Sequence, residues 1–291
     1  FQGGQLMALR IYSNLISLNA QRAMSINSAR LGSTLERVAS GIRLNRSSDD
    51  IAAMSISESL KGDVKALQQG GKNLNDGISM VNTADGSLAE QASILIRLRE
   101  ITSQSATGTI GNTERATLHL EFSALRSEFD RIAATTEFND RKLLDGSLAA
   151  SASDTTVLQL GIDSKDSSRF NLNQEINLTA VTSKALGFND SSIRTDTAAL
   201  TAMAKLTTAI DDLSNIRGRV GSVQERLQYA NDHLNANVEN LHSAISTLRD
   251  ADFAEEMAVL TQNQILVQGA SAMVGQANLI PQSVLSLLQN Q

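Results

Sequence analysis

The chain lacks several residue types on which common classes of protein depend. Its 291 residues include no cysteine, no tryptophan and a single proline, and only 3% are aromatic. Without cysteine there is no disulfide framework, no thiolate nucleophile and no sulfur-ligated zinc site. Proline ordinarily makes up about 5% of a chain and interrupts helices, so its scarcity favours long, unbroken helices.

Charge and hydropathy exclude further classes. The 25 basic residues are interspersed among 31 acidic residues, whereas a nucleic-acid-binding protein carries a basic stripe. No stretch reaches the roughly 18 consecutive apolar residues that a membrane helix needs. The segment that begins at Met7 also lacks the apolar run of a secretory signal. We therefore expect no nucleic-acid partner, no membrane insertion and, for any export, a route without a cleaved signal peptide.

Hydrophobic spacing is the strongest signal in the chain. Three segments repeat apolar residues at alternating steps of four and three, which is the pattern of helices packed along a heptad seam. The first predicts one helix from about 51 to about 103, and the second follows a break at 108–112, with Asn112 or Thr113 as its cap. Three such stripes can cover one another in an antiparallel bundle. The stripes comprise Leu60, Val64, Leu67, Gly71, Leu74, Ile78, Val81, Asp85, Leu88, Ala92 and Leu95; Leu118, Phe122, Leu125, Phe129 and Ile132; and Ile216, Val220, Val223, Leu227, Ala230, Leu234, Val238, Leu241, Ile245 and Leu248.

The region from about 138 to 197 has a different pattern. Strand-forming residues at 157–162 and 169–172 flank a polar, turn-rich stretch at 163–168, which predicts a small β-hairpin. The stretches 146–156 and 189–197 are rich in Ser, Asp and Thr, so we expect them to form surface loops.

Amphipathic helices are predicted at both ends of the chain. Their apolar residues are interleaved with Ala, Ser, Gln and Asn rather than with strong charge, so we expect these helices to pair with each other or with other subunits. The predicted fold is mainly α, with a long antiparallel helical bundle or coiled coil, a small β-hairpin region and paired terminal helices. Subunit contacts are expected at Leu15, Leu18, Ile26, Leu31, Leu35, Phe253, Met257, Leu260, Val267, Pro281, Leu285 and Leu288.

The expected domain organisation follows from these patterns. Residues 1–6 are interpreted as the remnant of a cleavable tag, with the native chain starting at Met7. Residues 7–45 and 250–291 form the terminal-helix domain, and residues 46–249 form the helical-bundle domain that carries the hairpin and loops at about 138–197.

No constellation of residues suited to catalysis stands out. The histidines at 119, 233 and 242 lack the spacing of metal ligands on a helix, and Asp49 and Asp50 precede a helical stripe, where acids act as caps. There is no nucleophile with a base and an orienting acid, and no glycine fingerprint for a nucleotide. We therefore predict no catalytic, metal-binding or cofactor-binding residues, no cofactor and no enzymatic activity. A helical adaptor or scaffold protein would show the same stripes.

Two blocks at opposite ends of the chain resemble the signatures of bacterial flagellins. The N-terminal block comprises Glu36–Asn45 (ERVASGIRLN), followed by Ser48–Ala53 (SDDIAA) and Asn75–Ser79 (NDGIS). The C-terminal block is Gln276–Leu288 (QANLIPQSVLSLL). The chain thus resembles a short flagellin without large outer domains.

This resemblance implies a structural subunit that polymerises into the bacterial flagellar filament for swimming motility. The terminal helices would pair as a coiled coil that lines the inner tube, and the long helices and hairpin would form the outer wall. The implied route is type III export of the unfolded chain to the extracellular filament. The implied partners are other copies of the chain, an export chaperone on the C-terminal helix, and the filament cap and hook-junction proteins. A hook–filament junction protein of the same family is the nearest alternative, although the Leu279–Gln282 ending favours flagellin.

The resemblance also bears on an innate immune receptor, Toll-like receptor 5, which recognises some flagellins. In this family pattern Ile96 stands in place of a polar residue and Leu125 in place of an arginine, so two polar partners of the receptor are missing. Alternatively, Arg97 and Arg99 only solvate the bundle and pair with nearby acids. The residues that resemble the recognised motif are Arg97, Leu98, Arg99, Glu100, Ile101 and Glu121.

Overall fold

The structure, a computed structural model, describes the backbone of residues 14–289 and the side chains of residues 14–279. The predicted tag remnant and the side chains of Pro281, Leu285 and Leu288 lie outside these residues. The fold is mainly helical, as the sequence predicts, and has two small antiparallel strand pairs, of which the sequence predicts one. The elements are α1 (Leu15–Ser40), α2 (Ile51–Ser105), α3 (Asn112–Thr135), β1 (Glu137–Phe138), β2 (Arg141–Lys142), β3 (Val157–Gln159), β4 (Arg169–Asn171), α4 (Leu172–Ile176), α5 (Asp196–Arg249) and α6 (Phe253–Gln289).

The described chain divides into two compact units. The bundle unit is Gly62–Leu241, which contains most of α2, all of α3, the strands, α4 and most of α5. The terminal unit consists of residues 14–61 and 242–289, which contain α1, α6 and the adjoining ends of α2 and α5. The predicted division at 45/46 and 249/250 stays a prediction.

The bundle unit is built on the predicted stripes. In α2 the stripe positions Leu74, Val81, Leu88 and Leu95 are buried in one continuous apolar core, to which α3 and α5 also contribute. Both long neighbours run antiparallel to α2. Hydrogen bonds and ion pairs that join α2 to α3 or to α5 show this direction, because the partner number falls as the α2 number rises.

The start of α3 differs from the predicted cap. Gly111 is the N-cap residue and makes no side-chain cap hydrogen bond, so neither Asn112 nor Thr113 caps the helix. An acid, Glu114, lies in the first turn of α3, where the helix dipole favours negative charge. Arg115, one turn further on, is buried and instead closes the end of α2: its Nε donates to the Ser105 carbonyl oxygen at 2.8 Å. A charged side chain thus satisfies a carbonyl that the end of a helix leaves unpaired.

The predicted hairpin is present as β3 and β4, which pair in antiparallel register with Leu158 opposite Phe170. The expectation of surface loops on its flanks is wrong in part. Apart from β3, β4 and α4 the segment 143–193 is irregular, yet it sends apolar side chains into the bundle core, including Leu148 and Ile193 of the two expected loops. These buried side chains belong to Leu143, Leu144, Leu148, Leu172, Ile176, Leu178, Val181, Phe188 and Ile193.

Buried polar side chains hold this irregular segment in place. The amide group of Asn173, which is fully buried, donates to the carbonyl oxygens of Ser147 at 2.8 Å and Ala149 at 3.1 Å. Its side-chain oxygen accepts from the backbone N–H of Thr156 at 2.7 Å. Backbone groups that no helix or strand pairs must find such partners when buried. The hydrogen-bonding side chains therefore take over the role of regular secondary structure here.

Two glycines let the hairpin lie directly on α2. A Cβ atom at Gly70 would stand 2.4 Å from the Leu160 carbonyl oxygen, and one at Gly77 would stand 2.3 Å from the Leu158 side chain. The two glycines are seven residues apart and so face the same side of the helix. A Cβ at Gly70 would therefore force the hairpin backbone or the helix to shift, whereas one at Gly77 would displace the end of the Leu158 side chain.

Candidate assembly interface

The terminal helices α1 and α6 pair side by side in antiparallel orientation. Near the start of α1, Ser17 Oγ donates to Asn278 Oδ1 at 2.7 Å. Near its end, Arg37 forms an ion pair with Glu256 at 3.2 Å. Residue numbers therefore rise along α1 while the numbers of their partners on α6 fall, which shows the antiparallel direction. The predicted pairing of the terminal helices is present in the described structure.

The seam between α1 and α6 is unusually polar for a helix pair. The buried residues of α1 are Ser17 and Thr34. In the described part of α6 the buried residues are Glu256, Leu260, Asn263 and Ala277. Half-buried residues continue the two stripes at steps of three and four, so the seam keeps heptad spacing while most of its buried positions are polar. The half-buried seam residues are Ala20, Met24, Asn27, Leu31 and Val38 in α1, and Val267, Ala270 and Val274 in α6.

The apolar side chains of these helices lie largely outside the seam. Leu15 is 61% exposed, Leu18 57% and Phe253 62%. Charged residues normally dominate the solvent face of a helix, and large apolar residues mark a face that another surface covers. Among the predicted contact residues, the exposed ones are Leu15, Leu18, Ile26, Leu35, Phe253 and Met257, and those within the α1–α6 seam are Leu31, Leu260 and Val267.

Sequence reasoning missed the polar seam because it followed apolar residues alone. The same heptad spacing was readable in Ser17, Thr34, Glu256 and Asn263, which stand at multiples of seven from seam positions on their own helix. A search for small and polar residues at heptad spacing would have found them.

The Glu36–Asn45 block has a structural role at the end of α1. Gly41 takes a left-handed conformation with φ of 69°, which favours glycine, and its N–H caps α1 on the Arg37 carbonyl. Glu36 then accepts hydrogen bonds from Asn45 and Arg46 at 2.6 and 2.7 Å. This block therefore ends the terminal helix and directs the chain away from it.

The next block, Ser48–Ala53, begins α2. Asp49 accepts from the backbone N–H groups of Asn45 and Arg46, and Asp50 accepts from the N–H of Ala53 at 3.0 Å. Asp50 therefore caps α2, which is the preferred role of Asp before a helix, whereas Asp49 holds backbone donors of the preceding turn.

The residues that resemble the receptor motif divide between surface and core. Arg97, Arg99 and Glu100 are exposed on α2, and Arg97 pairs with Glu121 of α3 at 2.8 Å. The Glu121 and Glu100 carboxylates raise the pKa of Arg97 by hydrogen bonding and charge, with the Glu121 hydrogen bond as the main cause. Leu98 and Ile101 are buried in the bundle core, so among the residues that resemble the motif only the charged ones are exposed to a partner.

The described residues contain no group of three or more His, Asp or Glu side chains arranged to hold a metal ion. Within residues 14–289, no helix is long and apolar enough to cross a membrane. His119 is half-buried on α3. Its ring stacks near Phe122 at 6.3 Å, and its Nδ1 is buried without a hydrogen-bond partner.

Comparison with known proteins agrees with this arrangement of two helical ends. The family model for the bacterial flagellin N-terminal helical region matches residues 11–149, and the model for the C-terminal helical region matches residues 203–288. A flagellin of Halalkalibacterium halodurans is 38% identical, in an alignment that covers 96% of this chain and 99% of that flagellin. A flagellin of Bacillus subtilis is 36% identical over 97% of this chain and all of its own.

Among solved structures, a putative flagellar hook-associated protein from Vibrio parahaemolyticus has a TM-score of 0.56 at 15% identity. It covers 69% of this chain and 100% of its own, and the likeness is one of fold alone. Fold and sequence together define a helical structural protein whose N-terminal and C-terminal regions both match the family models. The chain belongs to the bacterial flagellin family and is a structural subunit of the flagellar filament.

Proposed function

We propose that subunits polymerise by covering the exposed apolar residues of α1 and α6 with the same helices of neighbouring subunits. The observation that carries this proposal is the outward position of Leu15, Leu18, Phe253 and Ile265, each more than half exposed. Covering one such side chain is worth about 1.5–3 kcal/mol. Repetition of this gain at every subunit stabilises a continuous filament.

The polar seam supports a second part of this proposal, the coupling of assembly to ordering of the ends. A helix pair that buries mainly Ser, Thr, Asn and Glu gains little from the hydrophobic effect. The terminal helices therefore depend on contacts between subunits for much of their stability. We expect the ends to be cleaved by protease in the free subunit and protected in the filament.

A charge on an exposed apolar position tests the proposal. Leu18→Glu places a carboxylate where a neighbouring subunit is expected to cover a leucine, and the critical concentration for seeded polymerisation should rise by about 10-fold or more. Negative-stain electron microscopy and pelleting measure the change. Ser164→Glu, in the exposed turn between β3 and β4, is the matched control and should polymerise normally. Normal assembly of Leu18→Glu would contradict the proposal.

The exposed apolar residues of α6 also favour an export chaperone as a partner. Before export, subunits would associate through the exposed apolar side chains of this helix, which are Phe253, Met257, Ile265 and Met273. A protein that covers the helix would keep the subunit monomeric. The family's structural role supports type III export without a cleaved signal peptide, location in the extracellular filament and contact with the cap and hook-junction proteins. It supports a mechanical role without enzymatic activity.

A further part of the proposal is that an innate immune receptor recognises a surface of α2 and α3. The exposed charges of Arg97, Arg99, Glu100 and Glu121 form the surface that a receptor would contact, and exposed Ile96 and Leu120 flank it. The existing ion pair between Arg97 and Glu121 must be shared with or exchanged for receptor groups. A pull-down with the receptor ectodomain tests this, and the absence of a complex would remove the proposal.

A further inference from the structure

We propose that the buried polar residues of the α1–α6 seam determine the register in which the terminal helices pair. The inference goes beyond assembly itself: it concerns which residue of α1 faces which residue of α6 within one chain. A heptad seam without such residues permits slips of one full repeat.

Three polar contacts define the register along the seam. Asn263 Nδ2 donates to Thr34 Oγ1 at 3.0 Å, and both residues are buried. One turn away, Arg37 pairs with Glu256, whose side chain is also largely buried. At the far end, Ser17 donates to Asn278 at 2.7 Å. The contacts thus span most of the length of α1.

The apolar seam residues carry no comparable information. Leu31 and Val38 stand seven residues apart on α1, and Val267 and Val274 stand seven apart on α6. A slip of one heptad therefore places one aliphatic side chain where another was, at little cost. Apolar packing alone would therefore stabilise several registers of α1 against α6 to a similar extent.

The polar contacts respond differently to the same slip. In the direction that brings Thr34 opposite Ala270, Asn263 loses its hydroxyl partner and Glu256 loses Arg37. A buried polar group or charge left without a partner is costly, and this asymmetry lets a polar layer select one register. The energetic difference between registers therefore comes from Thr34, Asn263, Arg37 and Glu256.

A second device could also hold the register at one end. The backbone N–H of Arg43 donates to the Arg249 carbonyl oxygen at 2.7 Å, and the N–H of Ala251 donates to the Gly41 carbonyl oxygen at 3.0 Å. These bonds join the end of α1 to the segment that precedes α6. The experiment must therefore separate the buried side chains from this backbone connection.

The absence of cysteine from the chain makes disulfide trapping a direct measurement. Met24→Cys with Ala270→Cys reports the observed register, because both residues lie in the seam between the Ser17–Asn278 and Thr34–Asn263 contacts. Met24→Cys with Ala277→Cys reports a slip of one heptad. A disulfide forms only when the two Cα atoms come within about 7 Å. Mass spectrometry of the monomer band from a non-reducing gel counts the bonds within one chain.

The variant to compare carries Thr34→Val, Asn263→Leu, Arg37→Met and Glu256→Leu, which make the four positions apolar. In the unaltered seam the observed-register disulfide should exceed the slipped one by about 10-fold or more. In the apolar variant the two yields should become nearly equal, while circular dichroism shows that helix content is retained. The matched control, Leu31→Val with Val267→Leu, changes the apolar seam and should keep the original ratio.

Two further outcomes bear on the proposal. If the apolar variant keeps the original ratio, the Gly41–Ala251 connection suffices and the proposal is overturned. Loss of both disulfides would also count against it, because the polar residues would then stabilise the pair without selecting a register. An exchange variant, Thr34→Asn with Asn263→Thr, preserves a hydrogen-bonding pair and should keep the observed register.

The measurement is made on free subunits and on seeded filaments. Because trapping reports contacts within one chain, its result does not depend on whether Leu18→Glu impairs polymerisation. A slipped register in the apolar variant together with normal assembly of Leu18→Glu would support this inference and contradict the assembly proposal.

Discussion

The bundle unit and the terminal helix pair share heptad spacing but bury different side chains. In the bundle unit the spaced positions of α2 are mainly leucine and valine, with Leu74, Leu88 and Leu95 fully buried. In the α1–α6 pair the buried positions are mainly Ser, Thr, Asn and Glu, while large apolar residues such as Leu15 and Phe253 face outward. One periodicity therefore serves two purposes within a single chain.

The difference separates stability within a subunit from contact between subunits. A core that buries apolar side chains gains its free energy inside the chain and needs no partner. A pair that buries polar groups gains orientation from its hydrogen bonds and leaves its apolar residues for other surfaces. The bundle unit should thus resist unfolding by itself, whereas the terminal pair should depend on assembly.

The largest expected effect comes from emptying the bundle core. Phe129 is fully buried and packs edge-on against Phe188 with ring centroids 5.3 Å apart. Phe129→Ala should cost about 3–5 kcal/mol and lower the melting temperature by roughly 10 °C, measured by calorimetry on the free subunit. Leu260→Ala, which truncates a buried leucine of the terminal pair, should leave this transition nearly unchanged. Equal losses from both variants would show that the two regions unfold together.

The helices of both regions were predictable because their length repeats one signal many times. The stripe from Leu60 to Leu95 contains enough positions to define a helix of α2's length, and the observed helix ends at Ser105, close to the predicted end. The β3–β4 hairpin was also predictable, because strand-forming residues stand on both sides of a polar turn. Local pattern was sufficient wherever a feature was repeated or symmetrical.

The rest depends on contacts between distant residues, which spacing does not encode. Nothing near Leu143 or Phe188 in the sequence indicates that an irregular segment is part of the bundle core. The sequence around Asn173 indicates a loop residue, and its role becomes evident only from its backbone partners. In the candidate interface spacing identified apolar residues of the terminal helices but did not separate the outward ones from Leu31, Leu260 and Val267 of the seam, and the polar seam required the pairing of α1 with α6.

Two glycines of α2, Gly70 and Gly86, differ in how closely other residues pack against them. Gly70→Ala in α2 would place a methyl group against the Leu160 carbonyl oxygen, and the forced shift should cost about 1–3 kcal/mol. Gly86→Ala, in the same helix with open space around it, should instead stabilise by up to about 1 kcal/mol, because alanine favours helix.

The equivalent change in the terminal pair is Gly32→Ala. No atom lies within 4 Å of its added Cβ, so it should raise the helix content of the ends rather than lower it. Urea unfolding and circular dichroism measure the three variants side by side. A destabilising Gly86→Ala would show that the helix itself, and not the hairpin on Gly70, limits substitution.

The smallest expected effect concerns the pH dependence of the bundle unit. Burial, together with the charges of Arg194 and Arg126, lowers the pKa of His119 from 6.5. An imidazole with a lowered pKa in the folded state is held neutral there, while the unfolded chain takes up the proton more readily. The free energy of unfolding should therefore keep this contribution above pH 6.5 and lose it as the pH falls below that value.

His119→Gln removes the titrating ring and isolates its share of the pH profile. Carboxylates titrate in the same experiment at lower pH, and the Arg131 hydrogen bond lowers the pKa of Glu128 from 4.5, so the difference between the two proteins is the informative quantity. Urea midpoints of the wild type and of His119→Gln are measured at half-unit steps from pH 7.5 downward. The two profiles should run parallel above pH 6.5, and below that value the wild type should lose stability faster. Parallel profiles would mean that the ring reaches solvent before the bundle opens. The terminal pair buries no histidine among its described residues, so this slope should arise from the bundle unit alone.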